Sequence, residues 1–549
     1  MRRGFLLAAA AFGMAFGAGA HARAAMSCAA LAHLALPHAR ITSAYRMAAG
    51  KFTEPGGNPR TGAFADLPGF CRVHGVAHPV PGSSIGFEIW LPLAHWSGRL
   101  HMVGNGAYDS RIYWAQMADR IRQNDVGVAT DTGHQGGNLT FGVGHPERIL
   151  DWARRAVHES VLAAKRITQA YFGSPARYAY FSGCSTGGEQ ALSEAQRYPD
   201  DFNGIIAGDP GNYRTSLNME FLWQFESNHR RGDNGQPLLG VADLELLHGA
   251  VMQACDAADG VKDGVINDPR DCKFDVASLL CRPGRGGRCL SAAQVAAVRA
   301  MYAGPRDPAT GVPIYPGYTF GSEGVETEPG QRLPGWAEYW ANPHRADEPQ
   351  RLSFFRDWLF DNPRWDWWSF NWHTDPTIAL ATMRPKVDAA SPDLHAFAAR
   401  GGKLILFMGW ADPVGSALAA IEYYRQVEDY TANHAGTRDA LGATQKFFRL
   451  YMIPGMAHCA QGPGATYFST ATRDSTPPVR DRRHDMTIAL EDWVEKGEPA
   501  STLIGMHYNN FARRVIAFQR PLCVYPQVAR YIGGNTDQPT SFRCEPPGP

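Results

Sequence analysis

RYAYFSGCSTGG, residues 177–188, is the stretch from which the fold can be worked out. Its aromatic, apolar run, residues 178–181, has strand character, and residues 189–195 favour a helix. Ser185 lies between Gly183 and Gly187, which gives the pattern G-x-S-x-G. In a nucleophile elbow this pattern forms a tight strand-to-helix turn that projects the serine hydroxyl above the sheet edge. Five residues alone match by chance in glycine-rich loops, but the flanking strand and helix favour the elbow.

Strands and helices alternate on both sides of the elbow. Strand patterns cover residues 85–93, 100–103, 126–130, 178–182 and 203–207, and a helical pattern covers 149–171. The alternation stops after Gly208 and resumes at 403–408 and 447–453, followed by a helix at about 484–496. This indicates a mostly parallel sheet with helices on both faces, an α/β-hydrolase fold. We expect a catalytic domain formed by residues 25–209 and 381–549, and an inserted lid domain at residues 210–380.

The first 24 residues are typical of a cleaved signal peptide. Arg2 and Arg3 precede an apolar run, residues 4–20, and small residues follow at the cleavage positions of an A-x-A pattern. A membrane anchor is the alternative, but the run is short, is interrupted by glycine and has no charge cluster after it. The sequence therefore predicts a secreted or periplasmic protein without a membrane span.

Composition agrees with export. Lysine plus arginine number 53, as do aspartate plus glutamate, so the formal net charge is zero. This balance argues against a nucleic-acid partner or an anionic membrane surface. The ten cysteines all follow the signal segment, and an even count in an oxidising compartment indicates disulfides.

Two strand ends supply the partners that a nucleophilic serine needs. A histidine must take the serine proton, and a carboxylate must orient that histidine. Asp412, in GWADP, follows the predicted strand 403–408, and His458, in PGMAHC, follows the strand 447–453. Their order after Ser185, acid and then histidine, is that of the α/β-hydrolases. The sequence therefore predicts the catalytic triad Ser185, Asp412 and His458.

Three other residues compete for these roles. Asp209, in AGDPG, also follows a strand, but it precedes the insertion and so lies in the wrong place for the expected order. His484 lies in a predicted helical segment among charged residues and fits a solvated surface position. His134 follows another strand, where it either lines the pocket or is a hydrogen-bonded loop residue.

An oxyanion hole requires two N–H donors. One comes from the residue after the serine, here Thr186, and another from a glycine-rich loop after an early strand. The loop GNGAYD, residues 104–109, fits this description. We prefer Gly106 to Gly104 as the donor, and a plain turn is the alternative.

Cysteines flank two members of the predicted triad. Cys184 immediately precedes Ser185, and Cys459 immediately follows His458. If the serine and the histidine lie within hydrogen-bond reach, the two sulfurs are neighbours, and a disulfide between them is expected in an oxidising compartment.

These motifs resemble the tannase and feruloyl esterase family, which also contains the bacterial enzyme that hydrolyses mono(2-hydroxyethyl) terephthalate. The resemblance rests on GNGA, on Cys184-Ser185, on GWADP and on His458-Cys459 in PGMAHC, and it extends over essentially the whole mature chain. It implies esterase activity and four further disulfides, Cys28–Cys71, Cys255–Cys272, Cys281–Cys289 and Cys523–Cys544.

A loop within the insertion, residues 256–271, alternates aspartates with glycines. Asp256, Asp259 and Asp263 offer the oxygens that Ca²⁺ prefers. A solvated acidic turn and a run of Asp-Gly turns are the alternatives. In the resembling family a structural calcium is held here, with the carbonyls corresponding to Val261 and Val265 as further ligands. We therefore expect a calcium ion that stabilises the lid.

The segment 358–372 contains five of the fourteen tryptophans. An apolar slot for an aromatic acyl group and a plain hydrophobic core for the lid explain it equally well.

The motifs thus predict a secreted serine carboxylesterase. The resemblance implies small esters of aromatic acids as substrates, with feruloyl or galloyl groups, or alternatively a mono(2-hydroxyethyl) terephthalate hydrolase. A peptidase or lipase with the same triad is a rival within the enzymes. A calcium-dependent binding protein on an inactive hydrolase scaffold is a rival from another class, which the complete triad disfavours.

Overall fold

The computed structural model describes residues 25–55, 64–284, 287–324, 335–339, 348–469, 479–510 and 513–547. The predicted signal peptide, residues 1–24, lies outside them. Nine strands form the central sheet, in the order β1-β2-β3-β5-β4-β6-β7-β8-β9. They are β1 (Ala39–Met47), β2 (Phe70–Ala77), β3 (Ile85–Pro92), β4 (Arg99–Val103), β5 (Val126–Thr130), β6 (Tyr178–Cys184), β7 (Gly204–Gly208), β8 (Lys403–Gly409) and β9 (Phe448–Ile453).

The part of the sheet from β5 to β9 is parallel, as the alternation of strands and helices predicts. Strands β1, β2 and β3 form an antiparallel extension, and β3 pairs antiparallel with β5. Neighbouring residues of β8 belong to different cores: Leu404 and Leu406 pack in one, and Ile405 and Phe407 pack in the other. The sheet is therefore covered on both faces, which explains why its inner strands are continuous apolar runs.

Thirteen α-helices lie in the described residues. They are α1 (Trp114–Arg122), α2 (Pro146–Leu150), α3 (Ala156–Phe172), α4 (Thr186–Arg197), α5 (Arg214–Asn228), α6 (Val241–Cys255), α7 (Ala292–Ala303), α8 (Gly335–Tyr339), α9 (Asp375–Val387), α10 (His395–Ala399), α11 (Ala417–Ala435), α12 (Ala440–Gln445) and α13 (Met486–Lys496). The predicted helix 149–171 corresponds to α2 and α3, joined by a π-helical turn, Asp151–Arg155.

Helix α13 begins later than its sequence pattern suggests. The Asp485 side chain accepts a hydrogen bond from the Thr487 N–H at 2.9 Å, which caps the helix at that point. His484 therefore lies in the preceding turn and not inside the helix. Its Nδ1 is 2.8 Å from an oxygen of Asp481, so it is a half-buried, paired residue rather than a solvated one.

The described part of residues 210–380 contains helices but no strand of the three sheets. Leu247, Val251 and Val298 are buried in a hydrophobic cluster that also includes Val414 and Ala419 from outside the predicted lid. Helix α9 continues through residue 380, so the predicted end of the lid falls inside a helix, and the domain boundaries stay a prediction.

Two small antiparallel sheets follow α13, and the sequence patterns did not reveal them. One pairs β10 (Leu503–Asn510) with β11 (Val515–Leu522), and the other pairs β12 (Val528–Tyr531) with β13 (Phe542–Glu545). The residues of β11 are mostly exposed or half-buried, so they lack the apolar run that marks an inner strand.

Five disulfides join the ten cysteines in the expected pairs, including Cys184–Cys459. In the described part of the chain, none of the helices has the length and apolar character needed to cross a lipid bilayer.

Candidate active site

Ser185 sits at a sharp turn between β6 and α4. Its φ of 64° and ψ of −120° lie in a region that non-glycine residues rarely adopt. Gly183 and Gly187 make this turn sterically feasible, because a Cβ on Gly183 would lie 2.7 Å from Gly187. The Ser185 N–H donates to the Gly208 carbonyl at 2.9 Å, which ties the turn to the end of β7. The predicted elbow is thus present, and Ser185 itself is only 7% exposed.

Asp412 and His458 lie on the loops after β8 and β9 and are hydrogen-bonded to each other. His458 Nδ1 is 2.7 Å from Asp412 Oδ2. The other carboxylate oxygen accepts the N–H groups of Val414 at 2.7 Å and Gly415 at 3.1 Å. A carboxylate can only accept hydrogen bonds, so the Nδ1 of His458 carries the proton. The Nε2 of His458 is therefore the nitrogen that can act as a base.

The Cys184–Cys459 disulfide links the elbow to the loop after β9, which carries His458 and is called the histidine loop below. The two Cα atoms are 5.8 Å apart, although 275 residues separate them in sequence. Ser185 and His458 are the neighbours of these cysteines, so their Cα atoms are at most about 13 Å apart. The predicted triad residues therefore converge at the carboxyl ends of β6, β8 and β9, and their catalytic role stays a prediction.

The predicted oxyanion loop lies against the start of α4. The Thr186 hydroxyl donates to the Ala107 carbonyl at 2.7 Å. A Cβ on Gly104 would approach the Gly187 Cα to 2.7 Å, so these two glycines allow the loop and the elbow to touch. Gly106 is buried beside this contact. Thr186 and Gly106 are thus neighbours, as a shared oxyanion hole requires.

Arg214, the first residue of α5, contacts Thr186 from the start of the predicted insertion. Its guanidinium donates to the Thr186 hydroxyl at 3.0 Å and to Glu189 Oε2 through both Nε, at 2.8 Å, and Nη2. It also lies over the rings of Tyr108 and Trp152. Arg214 and Glu189 are each 1% exposed. Burial raises the pKa of Glu189 to about 7, although the Arg214 charge opposes this shift. No sequence signal pointed to Arg214.

The geometry agrees with what the sequence comparisons find. The profile of the family described as tannase and feruloyl esterase matches residues 71–545. The chain belongs to the tannase and feruloyl esterase family. An uncharacterized esterase of Xanthomonas campestris pv. campestris is 36% identical over 548 residues, which cover 95% of this chain and 92% of that protein. The mono(2-hydroxyethyl) terephthalate hydrolase of Piscinibacter sakaiensis is 31% identical, over 89% of this chain and 87% of that protein.

Solved structures of the family have the same fold. Feruloyl esterase B from Aspergillus oryzae superimposes with a TM-score of 0.83 at 26% identity, and the match covers 94% of this chain and 99% of that one. Tannin acyl hydrolase from Aspergillus niger superimposes with a TM-score of 0.71 at 21% identity, over 92% of each chain. The chain is accordingly a carboxylic ester hydrolase of the α/β-hydrolase fold.

Asp209, the rival acid, has different partners from Asp412. Its carboxylate accepts the N–H groups of Gly409 at 2.7 Å and Cys459 at 2.8 Å. One atom each of Asp209, Asp412 and His458 lie within 4.8 Å of one another. Asp209 thus lies beside the predicted acid–base pair while Asp412 holds the imidazole nitrogen.

His134 is a loop residue held by hydrogen bonds. Its Nε2 is 2.8 Å from the Tyr108 carbonyl and its Nδ1 is 3.2 Å from the Thr132 hydroxyl. The ring stacks on Phe141, with 3.8 Å between centroids. It is 5% exposed, which agrees with the structural alternative for this residue.

The tryptophan-rich segment is only partly buried: Trp358 is buried, and the other four tryptophans, Trp365, Trp367, Trp368 and Trp372, are half-buried. Trp358 and Phe370 are each 6% exposed and belong to a cluster with Tyr108 and Trp152. The Trp358 indole N–H donates to the Leu139 carbonyl at 2.8 Å. Trp358 itself therefore packs as the core interpretation expects.

The aspartates of the predicted calcium loop accept hydrogen bonds from backbone N–H groups of the same loop. Asp256 Oδ1 accepts the Gly264 N–H at 2.9 Å, and Asp259 Oδ1 accepts the Val261 N–H at 3.0 Å. Burial, with the nearby carboxylates, raises the pKa of Asp259 to about 6. Arg520 Nη2 donates to Asp263 Oδ2 at 2.6 Å, so that carboxylate has a cationic partner. Carboxylate oxygens are the ligands that a hard cation prefers, but these three aspartates are not among the described groups whose ligand atoms lie within 4.8 Å of one another, so the calcium site stays a prediction.

Proposed function

We propose that this chain is a secreted serine carboxylesterase that hydrolyses esters of aromatic acids, such as feruloyl or galloyl esters, through an acyl-enzyme. The observation that carries the proposal is the convergence of the elbow with a carboxylate-bound imidazole: the His458–Asp412 bond is 2.7 Å long, and a disulfide links the neighbours of Ser185 and His458. Nucleophilic catalysis by serine requires such a carboxylate-bound imidazole near the serine, so these two observations support the proposal.

In the proposed reaction His458 Nε2 takes the proton of the Ser185 hydroxyl as its oxygen attacks the ester carbonyl. The N–H groups of Thr186 and Gly106 stabilise the tetrahedral oxyanion. The alcohol leaves with the proton from His458, and the acyl group stays on Ser185. Water then gives a proton to His458 and attacks the acyl-enzyme, which releases the acid and restores the serine.

Ser185→Ala tests the mechanism. We expect turnover to fall by several orders of magnitude while the melting temperature stays nearly the same, because one hydroxyl is lost from a retained fold. A fluorophosphonate probe should label wild-type Ser185, located by peptide mass spectrometry, and should not label the variant. Retained hydrolysis in Ser185→Ala would refute the serine mechanism, and a folded wild type that the probe does not label would favour the inactive-scaffold rival.

A panel of substrates tests the acyl group. Methyl ferulate, methyl gallate, chlorogenic acid and mono(2-hydroxyethyl) terephthalate, assayed side by side, should include a preferred aromatic ester by kcat/KM. The terephthalate monoester is the second candidate, since a relative of 31% identity is a hydrolase of that compound. Preference for a long-chain aliphatic ester or a peptide would contradict the aromatic assignment.

We also propose that Asp256, Asp259 and Asp263, with the carbonyls of Val261 and Val265, hold a structural Ca²⁺ in the lid. The ion would offset the repulsion between buried carboxylates. Export is likewise a proposal: sequencing the N-terminus of the secreted or periplasmic protein should find it near residues 23–26.

A further inference from the structure

Asp209 is a buried carboxylate that the proposed mechanism does not use. It follows β7, is 2% exposed and has a φ of 35°. Its own N–H donates to the Phe407 carbonyl of β8 at 2.9 Å. Burying a carboxylate here is unfavourable unless hydrogen bonds compensate for the lost hydration.

Two backbone N–H groups supply that compensation, and they belong to the loops that carry the predicted acid and base. Gly409, at the end of β8, is 200 residues away in sequence and lies three residues before Asp412. Cys459 is 250 residues away and is the residue directly after His458. One carboxylate therefore joins the carboxyl ends of β7, β8 and the loop after β9.

Of the two N–H groups, that of Cys459 belongs to the residue with the more restricted backbone. Cys459 has a φ of 71°, which a residue with a Cβ seldom adopts. Its side chain is bonded to Cys184, and an Asp209 oxygen lies 3.4 Å from the Cys184 sulfur. A peptide held in this conformation needs its N–H fixed, since rotation of the peptide would carry the neighbouring imidazole with it.

We propose that Asp209 is a positioning residue for the acid–base pair: its carboxylate holds the Gly409 and Cys459 peptides, and through them sets the location of His458 relative to Asp412 and Ser185. This inference rests on the proposed function of that triad. Asp209 does not contact the ester and transfers no proton.

Asp209→Asn is the direct test, because asparagine has nearly the same shape but one acceptor oxygen fewer. Its amide nitrogen must face one of the two N–H groups, so one backbone contact is lost. We expect kcat to fall about 100-fold, the order that a displacement of about 1 Å in a catalytic group costs. KM should stay within about twofold, since His458 acts in the transition state. The rate of fluorophosphonate labelling at Ser185 should fall with kcat.

Asp201→Asn is the matched control. Asp201 is a 3% exposed aspartate near the other end of β7, where its carboxylate is 2.6 Å from His158 Nδ1. This variant should lower the melting temperature while kcat at 20 °C stays at the wild-type value. Equal loss of kcat in both variants would assign the effect to general destabilisation and overturn the inference.

Asp209→Ser is the second variant, to be used if the asparagine variant does not fold. The serine side chain is smaller than that of asparagine, and it has no NH₂ group that would face a backbone N–H. It satisfies at most one of the two N–H groups, so its kcat should also be low with KM retained. Wild-type kcat in either soluble variant overturns the role of Asp209. This outcome differs from failure of the proposed function. If the proposed function is wrong, the probe does not label wild-type Ser185 and Ser185→Ala retains activity.

Discussion

Asp412 is held by three donors, and each contributes to the direction of the imidazole. The Val414 and Gly415 N–H groups fix one oxygen, and His458 Nδ1 bonds the other. In Asp412→Asn the amide nitrogen cannot accept from Nδ1–H, so the histidine loses its charged partner or adopts the other tautomer. We expect kcat to fall by about 10³–10⁴ with little change in KM.

Asp439→Asn is the control for that variant. Asp439 is an exposed aspartate that caps α12 through the Gly442 N–H, and asparagine caps helices equally well. Steady-state kinetics of the two variants, with circular dichroism to verify folding, decide the point. A kcat within tenfold of wild type in Asp412→Asn would exclude Asp412 as the acid.

Glu226 gives a prediction about pH and stability. Burial raises the pKa of this carboxyl from 4.5 to about 7 in the folded chain, and it accepts the Trp372 indole N–H at 2.9 Å. The folded state therefore prefers the protonated form, so this residue's contribution to stability falls as the pH rises from 4.5 through 7. Glu226→Gln mimics the protonated form and should stabilise the protein at pH 8, by up to roughly 3 kcal/mol, but not at pH 4.5.

Melting temperatures at pH 4.5 and pH 8 test this expectation. Glu245→Gln, an exposed position on α6, is the control and should change neither value by more than its error. If Glu226→Gln shifts the melting temperature equally at both pH values, titration of this carboxyl is not the cause.

At the scale of elements, the Arg214–Glu189 pair connects α4 with α5, and hence the elbow with the start of the insertion. Arg214→Leu leaves Glu189 buried without its cation, and such a loss typically costs about 3–5 kcal/mol. Adding Glu189→Gln removes the uncompensated charge. The double variant should therefore be less destabilised than the sum of the two single variants.

Urea unfolding of the wild type, both single variants and the double variant gives the coupling energy directly. Strictly additive losses would show that the two side chains do not stabilise the fold as a pair.

Across the whole molecule, the predicted calcium loop lies beside the histidine loop. Asp259, Asp263 and Val265 line a small cavity together with Pro454 of that loop. Chelation of a bound ion should therefore lower the melting temperature of the entire chain, and added Ca²⁺ but not Mg²⁺ should restore it, because the site offers many oxygens in flexible geometry.

Asp259→Asn should abolish most of the response to the chelator, whereas Asp275→Asn, an exposed aspartate outside the loop, should leave it intact. Metal analysis of the purified protein completes the test. An unchanged melt after chelation, with no calcium in the protein, would end the calcium proposal.

The sequence-based predictions are accurate where local interactions determine the structure, and they fail where distant residues or single side chains determine it. Strands β3 to β9 were found because each contains a short apolar run bounded by turn residues. Strands β1 and β2 were missed: β1 alternates half-buried with exposed residues and has no such run. The helix boundary at Met486 was misplaced because one capping side chain, Asp485, decided it.

The elbow and the region where the predicted triad residues meet could be read from the sequence. The glycines of the elbow relieve steric contacts within a few residues of Ser185, so their effect is local. A disulfide between the cysteines beside Ser185 and His458 requires these two residues to be close, whatever course the chain takes between them. The partners of Asp209 and Arg214 are visible only in the folded chain. Asp209 and Asp412 both follow buried strands, and the course of each loop determines that one meets an imidazole and the other meets two backbone N–H groups. Such partners lie as far as 250 residues away, and local sequence rules carry no information over that separation.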